Sequence, residues 1–272
     1  MLFISSKLKD RYYSIFEIFS KDILITEIPN TKDIWVRDFM PIHSANGNLI
    51  LFKYLPKYLR SPKYQHLISD NLNICEILNL VVTYVDIILD GGSIVYDNDL
   101  YFISERIFKD NPQYNKEHLY IKLVSLFQTE KIIFIPEAKH DFTGHLDGVL
   151  SILDSKTILI NSYPTKYLNS IKSVLEKYKF NLEYLIYNPY NNRTYQSAKG
   201  IYINYLETED YLYVPIFGQT EDDIALKQLS SLIPNKTISP IQCTELAEEG
   251  GLLHCISWEK KFNNKIGFEN PI

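Results

Sequence analysis

The chain has little cysteine, and this excludes two common kinds of small protein. Of its 272 residues three are cysteines, they lie far apart, and no Cys-x-x-Cys pair occurs. An odd number of widely spaced cysteines argues against a disulfide framework and against a structural zinc site. The sequence therefore indicates a reducing compartment, and we expect a cytoplasmic location.

Long apolar runs and basic stripes are also missing. No run of about 18 apolar residues occurs, so no membrane span is expected. The N-terminal segment MLFISSKLKDRYYSIFEIF mixes charges into its apolar residues, unlike a signal peptide. The formal net charge is −5 with both signs interspersed, which argues against nucleic acid as a partner. A mildly acidic surface favours a cationic substrate instead.

Paired apolar runs are what the sequence does contain, and they predict β-hairpins. Hydrophobic residues make up 46% of the chain, enough for a large core. β-branched and aromatic runs flank polar turns, as in hairpins, at intervals of roughly 50 residues. The predicted turns lie at Asn46-Gly47, near Asn98, near Ser155, near Thr208 and near Asn263-Asn264.

Helical patterns and short strands fill the intervals between the hairpins. Helices are predicted at 117–127, 165–178 and 221–233, and short strands at 131–136 and 182–187. The unit is hairpin, helix, strand, repeated about five times, so the fold class is α/β. No Gly/Ser/Pro-rich linker suggests a boundary, so residues 1–272 are expected to form a single domain. The polar segment 188–200 is the predicted mobile loop.

Reactive residues stand at similar places in different units. WVRDFMP places Asp38 before the first hairpin, GHLDG places His145 and Asp147 before the third, and GGLLHC places Cys255 at the start of the fifth. Equivalent positions in a ring of repeats converge near one axis. A nucleophile, a base and two carboxylates from distant parts of the sequence are therefore candidates for one site.

The spacing of His145 and Asp147 predicts two side chains on the same face of a strand. The adjacent Gly144 and Gly148 permit close approach of a ligand or another backbone. The same part is expected of Gly91-Gly92 and Gly250-Gly251.

Each of these residues also has an ordinary structural interpretation. A lone cysteine in an apolar strand is more often a packed thiol, and an Arg-Asp pair is usually a turn or a surface ion pair. His145 and Asp147 alone fit a hydrogen-bonded pair, and His140 lacks a familiar metal-ligand spacing from His145. The other residues considered, as core thiols or packing residues, are Cys75, Cys243, Trp35 and Trp258.

The motifs in combination resemble the guanidine-modifying enzymes of the pentein superfamily. WVRD, GHLDG and GGLLHC, in this order, are most similar to the agmatine deiminase and bacterial peptidylarginine deiminase family, from about residue 30 to about residue 260. Residues 203–238 resemble the family's asparagine-containing hairpin and the helix after it. The resemblance implies a five-bladed α/β propeller, in agreement with the repeat pattern.

The resemblance also implies roles for these residues. Asp38 and Asp147 would hold a guanidinium by bidentate hydrogen bonds, since a planar cation with forked donors suits paired carboxylates. Cys255 would be the nucleophile and His145 the acid and base, with no cofactor or metal. The remaining substrate-binding candidates are Trp35, Arg37, Asn204, Gly92 and Gly251.

Departures from the family pattern leave the substrate open. Phe39-Met40-Pro41 stands where agmatine deiminases usually have Thr-Gly-Pro, Leu252 replaces an asparagine, and an N-terminal Trp-Pro-Glu-Arg element is missing. Agmatine, free arginine and an arginyl peptide all remain candidates, and a homodimer is possible. The leading hypothesis is a cysteine hydrolase that deiminates a guanidino compound. The alternatives are an amidinotransferase, a thiol peptidase and a silent arginine- or partner-binding module. The second carboxylate argues against the peptidase.

Overall fold

Strands and helices alternate along the chain, and the computed structural model describes residues 1–138, 143–162, 165–187 and 197–260. The strands are β1 Leu2–Ser5, β2 Ile25–Ile28, β3 Ile42–His43, β4 Leu49–Lys53, β5 Val82–Ile88, β6 Ile94–Asp97, β7 Leu100–Ser104, β8 Ile132–Ile135, β9 Leu150–Ile152, β10 Thr157–Asn161, β11 Asn181–Leu185, β12 Leu206–Glu207, β13 Tyr211–Ile216, β14 Thr237–Gln242 and β15 Trp258–Glu259. The helices are α1 Ser6–Arg11, α2 Tyr13–Asp22, α3 Val36–Phe39, α4 Asn71–Ile77, α5 Arg106–Asp110, α6 Lys116–Phe127, α7 Thr165–Lys177, α8 Thr220–Leu232 and α9 Thr244–Glu248. Short 3-10 turns lie at Lys57–Leu59, Gln65–Leu67 and Gly91–Ser93.

The strands form five three-stranded sheets with a shared plan, in a mixed α/β fold. In four sheets an antiparallel hairpin is extended by a parallel strand that follows one or two helices, which is the predicted unit. These sheets are β3-β4-β5, β6-β7-β8, β9-β10-β11 and β12-β13-β14. The parallel pairings require the crossover helices, because a parallel strand cannot follow a tight turn.

The predicted helices at 117–127, 165–178 and 221–233 correspond to α6, α7 and α8. Helix α6 begins where the Asn115 side chain accepts a hydrogen bond from the His118 N–H at 2.8 Å. It buries Leu119, Leu123 and Phe127, which recur every four residues on one face. Burying each such side chain contributes roughly 1.5–3 kcal/mol. No helix in the described part of the chain is long and apolar enough to cross a membrane.

The fifth sheet is assembled from both ends of the chain. Strand β1 is its centre, antiparallel to β15 with Phe3 opposite Trp258, and parallel to β2. The turn predicted at Asn263-Asn264 lies outside the described residues, as does 188–196 of the predicted mobile loop. Sequence patterns predicted the C-terminal strand but not its partner at residues 2–5.

An apolar cluster anchors the turn that carries Cys255. Leu252, Leu253 and Ile256 are fully buried together with Ile4 of β1 and Tyr213 of β13. Apolar side chains on both sides of Cys255 therefore hold this turn between the fourth and fifth sheets. Packing in the hydrophobic core therefore positions the turn that carries the thiol.

Candidate active site

Five short segments precede β3, β6, β9, β12 and β15, and hydrogen bonds link them in a closed cycle. Asp38 Oδ1 accepts from the Gly92 N–H at 3.1 Å. The Gly92 carbonyl accepts from the N–H groups of Leu146 and Asp147, at 2.7 and 3.2 Å. The first, second and third segments are therefore tied at one place.

The cycle continues through the fourth and fifth segments. Asn204 Nδ2 donates to the Asp147 carbonyl at 3.2 Å, and the Asn204 carbonyl accepts from the His254 N–H at 3.3 Å. The Arg37 N–H donates to the Cys255 carbonyl at 3.1 Å, which returns the cycle to the first segment. Residues that are more than two hundred positions apart in the sequence thus share one site.

Cys255 lies in this site as a buried thiol with polar neighbours. Its Sγ is 3.5 Å from Asp147 Oδ2 and 3.4 Å from Asn204 Oδ1, and the residue is 8% exposed. Burial, together with the carboxylates of Asp147 and Asp38, raises the pKa of Cys255 well above its ordinary value. These surroundings therefore favour the thiol, whereas a cation bound between the carboxylates would favour the thiolate.

His145 lies between two carboxylates. Its Nδ1 is 3.8 Å from Asp38 Oδ1, its Nε2 is 3.6 Å from Asp90 Oδ2, and the Tyr58 ring stands edge-on to it at 6.3 Å. Burial lowers the pKa of His145, but the charges of Asp38, Asp90 and Asp147 outweigh burial and raise it to about 10. His145 is therefore an imidazolium at neutral pH and a candidate proton donor.

The pKa values of Asp38 and Asp147 are shifted in opposite directions. Burial raises the pKa of Asp38, the charge of His145 opposes this shift, and Asp90 and Asp147 add to it. Burial also raises the pKa of Asp147, but a hydrogen bond from His254 and nearby positive charges lower it overall. Three carboxylates packed together are mutually repulsive, so a planar cation that donates several hydrogen bonds to them would stabilise them.

Three of the predicted glycines are required by close packing. A Cβ on Gly91 would overlap the Arg37 carbonyl oxygen, a Cβ on Gly92 would lie 2.4 Å from His145 Nδ1, and a Cβ on Gly251 would lie 2.4 Å from Cζ3 of the Trp35 ring. Close approach was expected from a ligand or a backbone; a backbone makes it at Gly91, whereas side chains make it at Gly92 and Gly251. Gly148 differs, since its Cβ would meet only Ile201 at 3.5 Å, an ordinary contact.

Two local predictions were wrong. His145 and Asp147 do not lie on a strand, because Gly144 has a left-handed φ of +73° and the following N–H groups bond to Gly92. Strand β9 begins only at Leu150. Cys255 likewise lies in a turn before β15, since the Ile256 N–H bonds to the Leu252 carbonyl at 3.3 Å.

The remaining sequence candidates that the structure describes are buried and differ in their contacts. Arg37 and Asp38 are both buried and form no surface pair; Arg37 Nε donates to the His254 carbonyl at 3.3 Å. Trp258 is a packing residue, stacked on His43, with its indole N–H donating to the Pro41 carbonyl at 2.7 Å. Cys75 and Cys243 are buried free thiols, and burial alone raises the pKa of Cys75, to about 12. His140 lies outside the described residues.

Sequence reasoning missed three residues of this site: Asp90, Tyr58 and His254. Asp90 directly precedes Gly91-Gly92, just as Asp38 and Asp147 precede their strands, so its position in the repeat was an available signal. Tyr58 OH lies 3.5 Å from Asp38 Oδ2 and comes from a 3-10 turn that no pattern predicted. His254 Nδ1 lies 2.9 Å from Asp147 Oδ2.

Known proteins share this fold. A C. jejuni agmatine deiminase superposes with a TM-score of 0.74 at 22% identity, covering 94% of this chain and 92% of that one. A substrate-bound cysteine-to-serine variant of an agmatine deiminase from C. jejuni gives a TM-score of 0.75 at 22% identity, with the same coverage. At these identities the likeness shows the fold.

Sequence relatives agree with the structural ones. A Mycoplasma mycoides protein whose name places it among the agmatine deiminases is 25% identical over 222 residues, which cover 69% of this chain and 61% of that protein. The chain thus spans about three-fifths of the length of this relative. Residues 4–260 match the model of the Porphyromonas-type peptidyl-arginine deiminases. The match covers nearly the whole chain, and the chain belongs to the Porphyromonas-type peptidyl-arginine deiminase family.

Proposed function

We propose that this chain is a cysteine-dependent hydrolase that deiminates a guanidino compound to a ureido product and ammonia. One observation carries the proposal: the Cys255 thiol lies 3.5 Å from Asp147 in a buried site that also contains Asp38 and His145. Family membership and relatives named as agmatine deiminases support the same reaction class.

Binding begins with the two carboxylates. Asp38 and Asp147 accept the forked N–H donors of the guanidinium and hold its central carbon toward Sγ. The bound cation lowers the pKa of Cys255, because it stabilises the thiolate and offsets the carboxylates that oppose it. Asn204, 3.4 Å from Sγ through Oδ1, borders the same space.

The chemistry then needs one acid that later becomes a base. The thiolate forms a bond to the guanidino carbon, and the tetrahedral adduct breaks its bond to one nitrogen. His145 gives that nitrogen a proton, and ammonia leaves. Neutral His145 next takes a proton from the water that attacks the thiouronium carbon. The C–S bond of this second adduct breaks to release the thiolate, and the hydroxyl proton of the adduct passes to solvent as the ureido carbonyl forms. Asp90, 3.6 Å from Nε2, orients the imidazole and favours its protonated form.

We propose a small guanidino compound, agmatine or arginine, or an arginyl peptide, as the substrate. The substrate-bound agmatine deiminase from C. jejuni supports a small guanidino compound, and the family name supports a peptidyl one. We further propose that residues 1–272 form one domain in the cytoplasm. The closed cycle of hydrogen bonds supports an arrangement of the five sheets as propeller blades around one pseudo-axis.

A panel assay tests the function. Ammonia and ureido product are measured with agmatine, arginine, methylated arginines and an arginyl peptide, for the wild type and for Cys255→Ala. We expect equal amounts of both products from at least one substrate and none from the variant. Transfer of the amidino group to an added primary amine, without ammonia, would identify an amidinotransferase instead. No product from any compound would favour a silent binding module.

A further inference from the structure

Asp38 and Asp147 form the proposed substrate clamp, the pair of carboxylates that would bind the guanidinium. His254, the residue before Cys255, contacts this clamp but has no part in the proposed chemistry. Its Nδ1 lies 2.9 Å from Asp147 Oδ2, the same oxygen that lies 3.5 Å from Cys255 Sγ. A carboxylate oxygen can only accept a hydrogen bond, so the proton of this contact is on Nδ1. Oδ2 is therefore the oxygen of Asp147 that accepts a hydrogen bond from His254.

The backbone of His254 is held at both of its polar groups. The His254 N–H donates to the Asn204 carbonyl, and the His254 carbonyl accepts from Arg37 Nε at 3.3 Å and from Ser257 Oγ at 3.0 Å. The backbone that carries the imidazole is therefore fixed at both groups, which places the ring at a defined position beside Asp147.

His254 lines a cavity whose walls do not include Cys255. The cavity has a volume of about 430 Å³ and is lined by His254, Arg37, Asp147, Tyr96, Ser151 and Tyr205, among others, but not by Cys255, His145 or Asp38. His254 and Asp147 therefore share one cavity wall, and the imidazole contacts the carboxylate there.

The charge of His254 suits this position. Burial, followed by the charge of Arg37, lowers the pKa of His254, and its bond to Asp147 opposes the shift. A neutral imidazole donates a hydrogen bond without adding a positive charge beside an incoming cation. A lysine or arginine in its place would neutralise Asp147 and compete with the guanidinium.

We propose that His254 is a positioning residue that, through its Nδ1–H, orients the Asp147 carboxylate toward the guanidinium. The inference rests on the proposed function, since it assigns a role in that same clamp. It concerns recognition of the cation, so it predicts an effect on KM and little effect on kcat. A merely structural role would change stability and both constants together.

Three substitutions at one position separate the hydrogen bond from packing. In His254→Asn the amide nitrogen can occupy the place of Nδ1, in His254→Gln it lies one bond further out, and in His254→Leu no donor remains. Each variant is alkylated at Cys255 with chloroacetamidine, a planar cation, and with neutral chloroacetamide. The ratio of the two alkylation rates measures how strongly the clamp favours a cation, and it requires no turnover. Thermal unfolding measures whether each variant is folded.

We expect the ratio to fall about tenfold in His254→Leu, the loss of roughly one charged hydrogen bond, while the chloroacetamide rate changes less than twofold. His254→Asn should recover most of the ratio and His254→Gln should recover less, with a parallel pattern in KM for the substrate found in the panel assay. An unchanged ratio in His254→Leu, or equal losses in His254→Asn and His254→Gln, would overturn the inference; if His254→Leu does not fold, the Asn and Gln variants decide. No amidine preference in the wild type would instead contradict the proposed function.

Discussion

Sγ of Cys255 lies 3.5 Å from Oδ2 of Asp147, so the candidate nucleophile has a carboxylate as its nearest charged neighbour. No hydrogen bond or ion pair joins Cys255 to His145, both of which are described residues. An acyl-transfer triad would require the imidazole beside the nucleophile and an oxyanion hole. A thiol among carboxylates instead suits a substrate that brings its own positive charge.

The first prediction concerns the two clamp residues. Asp38→Asn and Asp147→Asn should each lower kcat/KM roughly 30-fold to several thousandfold, because the buried cation loses a charged partner. This corresponds to a loss of about 2–5 kcal/mol of transition-state stabilisation. Steady-state kinetics with the substrate found in the panel assay measures the effect. Asp86→Asn is the control, since Asp86 is 71% exposed and pairs with Lys53 on the surface. Near-normal kcat/KM in either clamp variant would mean that the wrong carboxylates are assigned.

The second prediction concerns Asp90 and pH. The pKa of His145 is about 10 partly because Asp90 is 3.6 Å from Nε2, so Asp90→Asn should lower it. Since the imidazolium is the required acid, activity is lost as pH rises through this pKa. The basic limb of the kcat/KM profile should therefore move to lower pH by about one unit or more.

Asp86→Asn is again the control for this shift, because Asp86 is 71% exposed and pairs with Lys53 on the surface. Its basic limb should coincide with that of the wild type. Coincident basic limbs for Asp90→Asn and the wild type would show that His145 does not depend on Asp90.

The third prediction compares two glycines. Gly92→Ala should lower kcat/KM by roughly a hundredfold, because its Cβ would lie 2.4 Å from His145 Nδ1 and displace the ring. Gly148→Ala should remain within about twofold of the wild type, since its new Cβ meets Ile201 at 3.5 Å. Both variants are compared by kinetics and thermal unfolding. Equal activity in the two would show that the His145 position is not critical.

Sequence patterns predicted the repeat well, because each hairpin and its helix are local features. Turns at Gly47 and Asn98 have left-handed φ values of +84° and +49°, as their residue types favour. The fifth sheet could not be predicted in the same way, since Phe3 pairs with Trp258 at the other end of the chain. A pairing over that separation leaves no periodic signal in either segment.

The site was partly predictable for a related reason. Asp38, Asp147 and Cys255 were proposed because they stand at similar places in different units, and the same logic extends to Asp90. His254 differs, since its contact with Asp147 depends on the turn geometry between Leu252 and Ile256. Side-chain directions within a turn do not follow the period of a strand or a helix.

The fourth prediction tests the closure of the fifth sheet. Ile4→Ala should lower the free energy of unfolding by about 2–5 kcal/mol, because Ile4 is fully buried on the central strand β1. Val81→Ala, at a residue 91% exposed, should change it by less than about 0.5 kcal/mol. Urea unfolding measures both. A small effect at Ile4 would show that β1 is dispensable to the fold.

Cys255 is proposed as a nucleophile in a site that recognises a planar cation, and labelling of the three cysteines tests this assignment without knowledge of the substrate. The protein is treated briefly with chloroacetamidine or chloroacetamide, and the labelled cysteines are located by peptide mass mapping. We predict that Cys255 reacts much faster with the amidine, because Asp38 and Asp147 bind it, whereas buried Cys75 and Cys243 show no preference. Equal labelling of all three cysteines, or equal rates of the two reagents at Cys255, would contradict the account.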